Sequence, residues 1–215
     1  YNGESQLRKT LQSILIFCIG DFEVVIVDGN SSDKWREVID DFRNRFPITA
    51  LSDVDEGEYD AMNKGIMASN GDYLLFLMTA DCLSQTMNCD NIHEPLMFPV
   101  IRANDGKKIK IKPHFLGLPN CHQGIIFQTN KNIYYDLTYK LSSDYDFYLK
   151  HFRNISPTFH AHFAEVQYDE GHSGANYINR DREILAIVKN NFPTITFLFA
   201  WCVIKFKHLV KAILK

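Results

Sequence analysis

Val25-Ile26-Val27-Asp28-Gly29-Asn30-Ser31-Ser32-Asp33 is a short apolar run that stops at a carboxylate and passes into a cluster of turn and helix-capping residues. Trp35, Val38, Ile39 and Phe42 follow at helical spacing, so the stretch reads as buried strand, turn and amphipathic helix. The pattern extends both ways. Upstream, Leu7, Leu11, Ile14, Leu15 and Cys18 mark one helix face after a polar start at Asn2 to Ser5. Downstream, a strand over Ile48 to Leu51 follows Pro47, a helix is expected from about Gly57 to Ser69, and Asn70-Gly71 breaks it before the apolar run Tyr73 to Met78. Short strands alternating with helices at this spacing predict an α/β fold, with a mainly parallel sheet and a ligand site at the carboxyl ends of its strands. The loops expected to line that site are Asp28 to Asp33, Asp53 to Gly57 and Thr79 to Cys82.

From about Asn91 to Thr129 the helical rhythm fades, and the alternation Lys108-Ile109-Lys110-Ile111-Lys112 predicts antiparallel strands. A helix is expected near Asp144 to Phe152, a strand near Thr158 to Gln167 and a helix near Tyr177 to Asn190. No repeat or long linker divides residues 1–190, which read as one mixed α/β domain. Residues 191–215 differ. Ile195 to Ile204 carries no charge and includes Phe197, Phe199 and Trp201, after which Lys205, Lys207 and Lys211 alternate with apolar residues. Ten apolar residues fall short of the roughly 20 that span a bilayer, whereas aromatics beside lysines suit an amphipathic helix in the membrane interface. The competing reading is a terminal helix packed on the body, and a continuation past Lys215 would allow a longer membrane segment.

The 215 residues are 46% hydrophobic and 23% charged, an ordinary globular composition. Net charge is −3, and without the four lysines of the last 25 residues the body carries −7, which argues against nucleic-acid binding. Five cysteines, with no C-x-x-C pair, fit a reducing compartment. The chain starts at Tyr1, which reads as a cut N-terminus.

The sequence has no G-x-G-x-x-G and no G-x-x-x-x-G-K-[ST], and Gly171-His172-Ser173-Gly174 lacks the spacing of a nucleophile elbow. That counts against dehydrogenase, P-loop and serine-hydrolase chemistry. Carboxylates at strand ends and helix starts remain: Asp28, Asp55, Asp60, Asp81, Asp144 and Asp146. Singly, each also reads as a turn or capping residue. Asp60 and Lys64, spaced i and i+4, also read as a surface ion pair. His160 and His162 alternate on one strand face, a metal pair only with a third ligand.

In order, the strand-turn word quoted above, then Asp55-Glu56-Gly57-Glu58-Tyr59-Asp60-Ala61-Met62-Asn63-Lys64-Gly65, then Asn70-Gly71-Asp72 to Asp81, resemble the nucleotide-sugar half of family-two glycosyltransferases with the GT-A fold. Cys121-His122-Gln123-Gly124, followed by Ser142-Ser143-Asp144-Tyr145-Asp146-Phe147, resembles the acceptor half of the branch that builds bacterial exopolysaccharides, including colanic-acid-type enzymes. The resemblance covers about residues 1–190, with the nucleotide-sugar half at about 1–90 and the acceptor half at about 91–190. It implies that the family's first strand would end at Tyr1-Asn2, and so precedes this sequence.

The resemblance further implies an inverting enzyme at the cytoplasmic face of the cell membrane. It would move a sugar from a nucleotide diphosphate, with a uridine donor favoured, to a glycan or polyprenyl-linked acceptor. Asp28 is expected to contact the base, with Asp55, Asp60 and Lys64 also on the donor side. His122 and Gln123 are expected to hold acceptor hydroxyls and Asp144 to act as general base. Mg²⁺ or Mn²⁺ is expected at Asp81, with His172 a further candidate. Where many members carry paired aspartates, this sequence reads Leu77-Met78-Thr79-Ala80-Asp81. Two alternatives stand beside this one: a nucleotidyltransferase of similar fold, and a degenerate sugar-nucleotide-binding or membrane-assembly subunit.

Overall fold

A computed structural model describes residues 2–111, 113–153, 155–168 and 176–213. The first half alternates as the sequence predicts: α1 (Glu4–Phe17), β1 (Cys18–Ile19), β2 (Val24–Asp28), α2 (Trp35–Phe42), β3 (Ile48–Ser52), α3 (Glu58–Ala68) and β4 (Tyr73–Leu75). Next come β5 (Cys82–Gln85), β6 (Met87–Asn88), β7 (Leu96–Met97), β8 (Val100–Arg102) and β9 (Ile125–Gln128). The chain then runs through α4 (Ser143–His151), β10 (Thr158–Phe159), β11 (Glu165–Tyr168), α5 (Tyr177–Asn191) and α6 (Thr194–Ile213).

β2 and β3 pair in parallel, from Val24 opposite Ile48 to Asp28 opposite Ser52, so both strands deliver their following loops to the same end. The sheet does not continue as a simple parallel array. β4 pairs antiparallel with β9, β9 antiparallel with β7, and β7 parallel with β10, while β11 lies between antiparallel β5 and parallel β8. The architecture is therefore a mixed α/β fold. β4 stops at Leu75, short of the expected Met78, because Met78 is already held by the Asp81 turn.

The alternation at Lys108 to Ile111 does not become a strand. It makes only an isolated bridge, Ile101 to Lys108, after a turn in which Gly106 takes a positive φ of 67° and Asp105 pairs with Arg102. The expected single strand near Thr158 to Gln167 is two short ones, joined through a turn at 161–163.

Two apolar cores carry the body. α1 and α2 bury Leu7, Leu11, Ile14, Trp35, Val38, Ile39 and Phe42 against β2, β5 and β11, the faces expected from the 3.6-residue period. α3 and α4 pack across β4 and β9 through Tyr59, Met62, Ile66, Phe127, Tyr135 and Phe147. Tyr135 is stacked on both Tyr59 and Phe147 with its ring nearly parallel to each: centroids 5.4 Å at 16° and 4.1 Å at 2°. Most of the described tail is the single helix α6. Ala200 and Ile204 of α6 are buried with Ile184, Ile187 and Val188 of α5. Asp181 of α5, 2% exposed, accepts from His208 Nε2 at 2.9 Å and meets Lys207 and Arg180, each at 3.3 Å. Lys207 is therefore paired to the body rather than free on a wet face.

Candidate active site

The donor-side loops meet at the chain's first residues. Asp28 closes β2, and its carboxylate accepts the Ser31 amide at 2.9 Å, the Ser52 hydroxyl at 2.8 Å and the Ser31 hydroxyl. Burial pushes its proton affinity up, but these donors outweigh it and hold the carboxyl below the usual range. The Asx turn read from the sequence thus exists, and it fixes an ionised carboxylate at the strand end. Asn2 bonds both Ser31 and Ser32, and the Glu4 amide donates to Asp33 at 2.8 Å, so the start of α1 is seated on this loop.

Asp55 lies across from the same turn. A Cβ on Gly29 would stand 2.6 Å from its Oδ2, and its Oδ1 accepts the Gly57 amide at 3.1 Å. Gly57 takes φ 117°, a conformation L side chains rarely adopt, and this bend starts α3. Asp60 accepts the Glu56 amide at 3.1 Å and pairs with Lys64 at 3.3 Å. Lys64 also donates to the Val54 carbonyl at 2.7 Å and lies 3.7 Å from Asp53, so it clasps the loop 53–57 to α3.

Asp81 is 1% exposed, with Oδ2 accepting the Met78 amide at 2.8 Å. Thr10 of α1 accepts the Ala80 amide at 3.1 Å, and Ala80 takes a positive φ of 83°, a strained conformation for a residue with a Cβ. Gly3 sits against Thr79, bringing this loop to the same end of α1 as Asp28. Among the described residues, no group of three or more His, Cys, Asp or Glu could hold a metal ion. Asp81 is turned into its own loop, and as described these residues do not fit a divalent-metal centre. His172 lies outside the described residues.

The acceptor side is assembled from three distant segments. His122 and Gln123 stand in a single 3-10 turn leading into β9. That turn is fixed by Asn120, whose amide donates to the Phe98 and Gly124 carbonyls at 2.9 and 3.1 Å. Gly124 is indispensable there, since a Cβ would come within 2.4 Å of Val100. Gln123 is 1% exposed and accepts from the Cys121 thiol at 2.6 Å, so it braces the turn. His122 Nδ1 lies 3.7 Å from Asp144 Oδ2, while its buried Nε2 has no partner.

Asp144 is in the first turn of α4. Its Oδ1 accepts the Tyr145 amide at 2.8 Å, while Ser142 at the N-cap position makes no side-chain cap bond, so Asp144 satisfies one donor of the helix start and leaves Oδ2 toward His122. Asp146 instead pairs with Lys150 at 2.6 Å. From α3, Tyr59 reaches the backbone of Asp144 with its hydroxyl, and Glu58 joins the charge cluster. The Glu58 carboxyl is raised, first by desolvation and further by Asp144, against the opposing pull of His122. Glu58 and Asn120 are the residues that reading the sequence missed. Both sit in or beside a word already singled out, but only the packing of α3 against α4, and of the turn against β7 and β8, gives them a role.

Residues 1–96 match the family model described as glycosyl transferase family 2. The PGL/p-HBAD biosynthesis glycosyltransferase of Mycobacterium tuberculosis is 29% identical over 205 residues, 86% of this chain and 79% of the relative. The poly-beta-1,6-N-acetyl-D-glucosamine synthase of Staphylococcus epidermidis is 30% identical over 78 residues, 36% of this chain and 19% of that protein. The fold is that of GT-A glycosyltransferases. The crystal structure of S. aureus TarS 1–349 in complex with UDP superposes with a TM-score of 0.69 at 18% identity, over 87% of this chain. The same fragment was solved in complex with UDP-GlcNAc, again with a TM-score of 0.69. The chain spans 62% of the TarS fragment.

Proposed function

We propose that this chain transfers a sugar, with inversion, from a nucleotide diphosphate to a glycan or polyprenyl-linked acceptor in cell-surface polysaccharide synthesis. The observation that carries the reading is the convergence of Glu58, His122 and Asp144 from three segments, beside an α3 whose other end of loop 53–57 reaches the Asp28 turn. A uridine donor is the first choice, supported by the complexes of TarS with UDP and UDP-GlcNAc. Asp28 and Asp55 face the donor, with Asp60 and Lys64 holding the loop between them. His122 orients the acceptor hydroxyl, with Gln123 bracing it. Asp144 takes the hydroxyl proton as the oxygen attacks the anomeric carbon and the bond to the diphosphate breaks on the opposite face. Mg²⁺ or Mn²⁺ has no described centre here, so no step is assigned to it.

Peripheral contact with the inner face of the cell membrane belongs to the same proposal. Ile195, Leu198, Phe199, Cys202, Phe206 and Leu209 of α6 are exposed at spacings of three and four, a continuous apolar stripe beside the one packed on α5. Lys205 stands over the Trp201 ring at 5.9 Å. No described helix is long and apolar enough to cross a membrane. Cosedimentation with anionic vesicles should therefore be salt-sensitive and lost on deleting residues 195–215; retention by the shortened protein overturns the contact.

Titration calorimetry with UDP, UDP-GlcNAc, ADP and GDP, with and without Mn²⁺, tests the donor reading. Selective uridine binding supports it, and no binding of any nucleoside diphosphate refutes it. Binding without turnover of any sugar donor would favour the non-catalytic subunit.

A further inference from the structure

The ends of α1 and of β6 bring two thiols together. β1 and β6 pair in parallel, Cys18 opposite Met87 and Ile19 opposite Asn88, which sets Cys18 beside Cys89 in the turn that follows. Their sulfurs are 3.4 Å apart and both cysteines are free. Further contacts hold the juxtaposition: the Asp21 amide donates to Asp90 Oδ1 at 2.9 Å, and the Asp90 amide donates to Asn88 at 3.1 Å. Gly20, at φ 91°, lets the chain pass Asp90, since a Cβ there would lie 2.7 Å from its carboxylate. Cys18 is buried, whereas Cys89 is partly open to solvent.

We propose that Cys18 and Cys89 form a reversible disulfide site, closed by a small disulfide oxidant such as oxidised glutathione. The two thiols are not equivalent. The hydrogen bond from Cys18 lowers the proton affinity of Cys89 against the effect of burial, while that same bond, and then burial, raises Cys18. Cys89, the accessible member, is the attacking thiolate. It displaces one glutathione thiolate and forms a mixed disulfide. Cys18 then attacks the Cys89 sulfur, and its proton passes to the second departing glutathione thiolate. Two cysteine thiols are oxidised, one glutathione disulfide is reduced to two thiols, and electrons and protons balance. The bond would tie the last turn of α1 to the segment after β6. α1 also supplies Thr10 to Ala80 and Ser13 to the Leu83 amide, so oxidation stiffens the support of the Asp81 loop.

The test is thiol counting and peptide mapping after incubation of the whole chain with oxidised glutathione. Accessible plus denatured thiols should fall from five to three, with a peptide linking Cys18 and Cys89 and full recovery on dithiothreitol. Cys89→Ser should abolish that peptide, and Cys202→Ser should leave it unchanged. The 70 residues between the linked positions imply a melting temperature higher by about 10 °C in the oxidised form. Five thiols remaining, glutathione retained on Cys202 alone, or a linkage through any other pair would overturn the assignment.

Discussion

Asp144→Asn is the substitution that best separates chemistry from architecture. Asparagine keeps an oxygen in the place where Oδ1 accepts the Tyr145 amide at 2.8 Å, so that bond at the helix start is preserved. What is lost is the charge 3.7 Å from His122 and the capacity to take a proton. A partly exposed pair of that kind contributes on the order of 1 kcal/mol or less to stability, so the melting temperature should fall by no more than about 4 °C. Loss of a general base lowers turnover by roughly 10²–10⁴-fold, or about 2.7–5.4 kcal/mol of transition-state stabilisation. UDP release from UDP-GlcNAc, in water and with candidate glycan acceptors, measures turnover, and calorimetry measures donor affinity, which should be unchanged. Glu58→Gln is the control. Its carboxyl is raised in the fold, so the ionised form costs stability above the usual carboxylate range, and removing the charge should leave stability intact or improved. Turnover within threefold of wild type for Asp144→Asn, with loss for Glu58→Gln, would move the base to α3 and refute the assignment.

Asp81→Ala should destabilise the protein by about 1–3 kcal/mol even with EDTA present, because the Met78 amide loses its buried acceptor; an unchanged melt in EDTA would deny Asp81 that structural role. Ala80→Gly should raise stability by about 0.5–1 kcal/mol in denaturant titrations, since glycine takes φ 83° without strain and the gain exceeds its backbone entropy; destabilisation would contradict the loop conformation. Asp181→Asn should cost about 1–3 kcal/mol and expose α6 to proteolysis. Asp181 has a depressed proton affinity in the fold, so its contribution is present above the unfolded carboxylate value of about 3.9 and is lost as pH falls below it. Acid titration of the wild type should show this loss, and of the variant should not.

Strong periodicity made α1, α2, α3, α4 and α5 legible, since apolar residues at 3.6 spacing can bury only one way against a sheet. Asp28 at the end of β2 and Asp60 in the first turn of α3 were legible by position rather than by period. Residues 99–124 were not. Their fold depends on Asn120 and Gly124 meeting Phe98 and Val100, contacts that leave no period in the sequence. The Lys108 to Ile111 alternation fits a strand, but a strand needs a partner edge, and only Ile101 supplies one bridge. Lys64 and Gln123 were recognised as special by their words, yet their side chains are occupied within the protein, which only coordinates reveal. Glu58 stands in a quoted word without a role of its own, and the effect of Asp144 on it arises only once α4 packs near α3.

Tyr135 acts as a gauge between two helices. Its ring fills the interval between Tyr59, one residue from Glu58, and Phe147, one helical turn from Asp144. The thickness of a single aromatic ring thus sets how far the α3 carboxylate stands from the α4 carboxylate. A flat, incompressible spacer fixes that interval without any hinge, whereas an aliphatic side chain in its place would let the two helices slide and blur the distance. Diversification of the acceptor loops around His122 can then proceed while the separation of the two carboxylates stays constant.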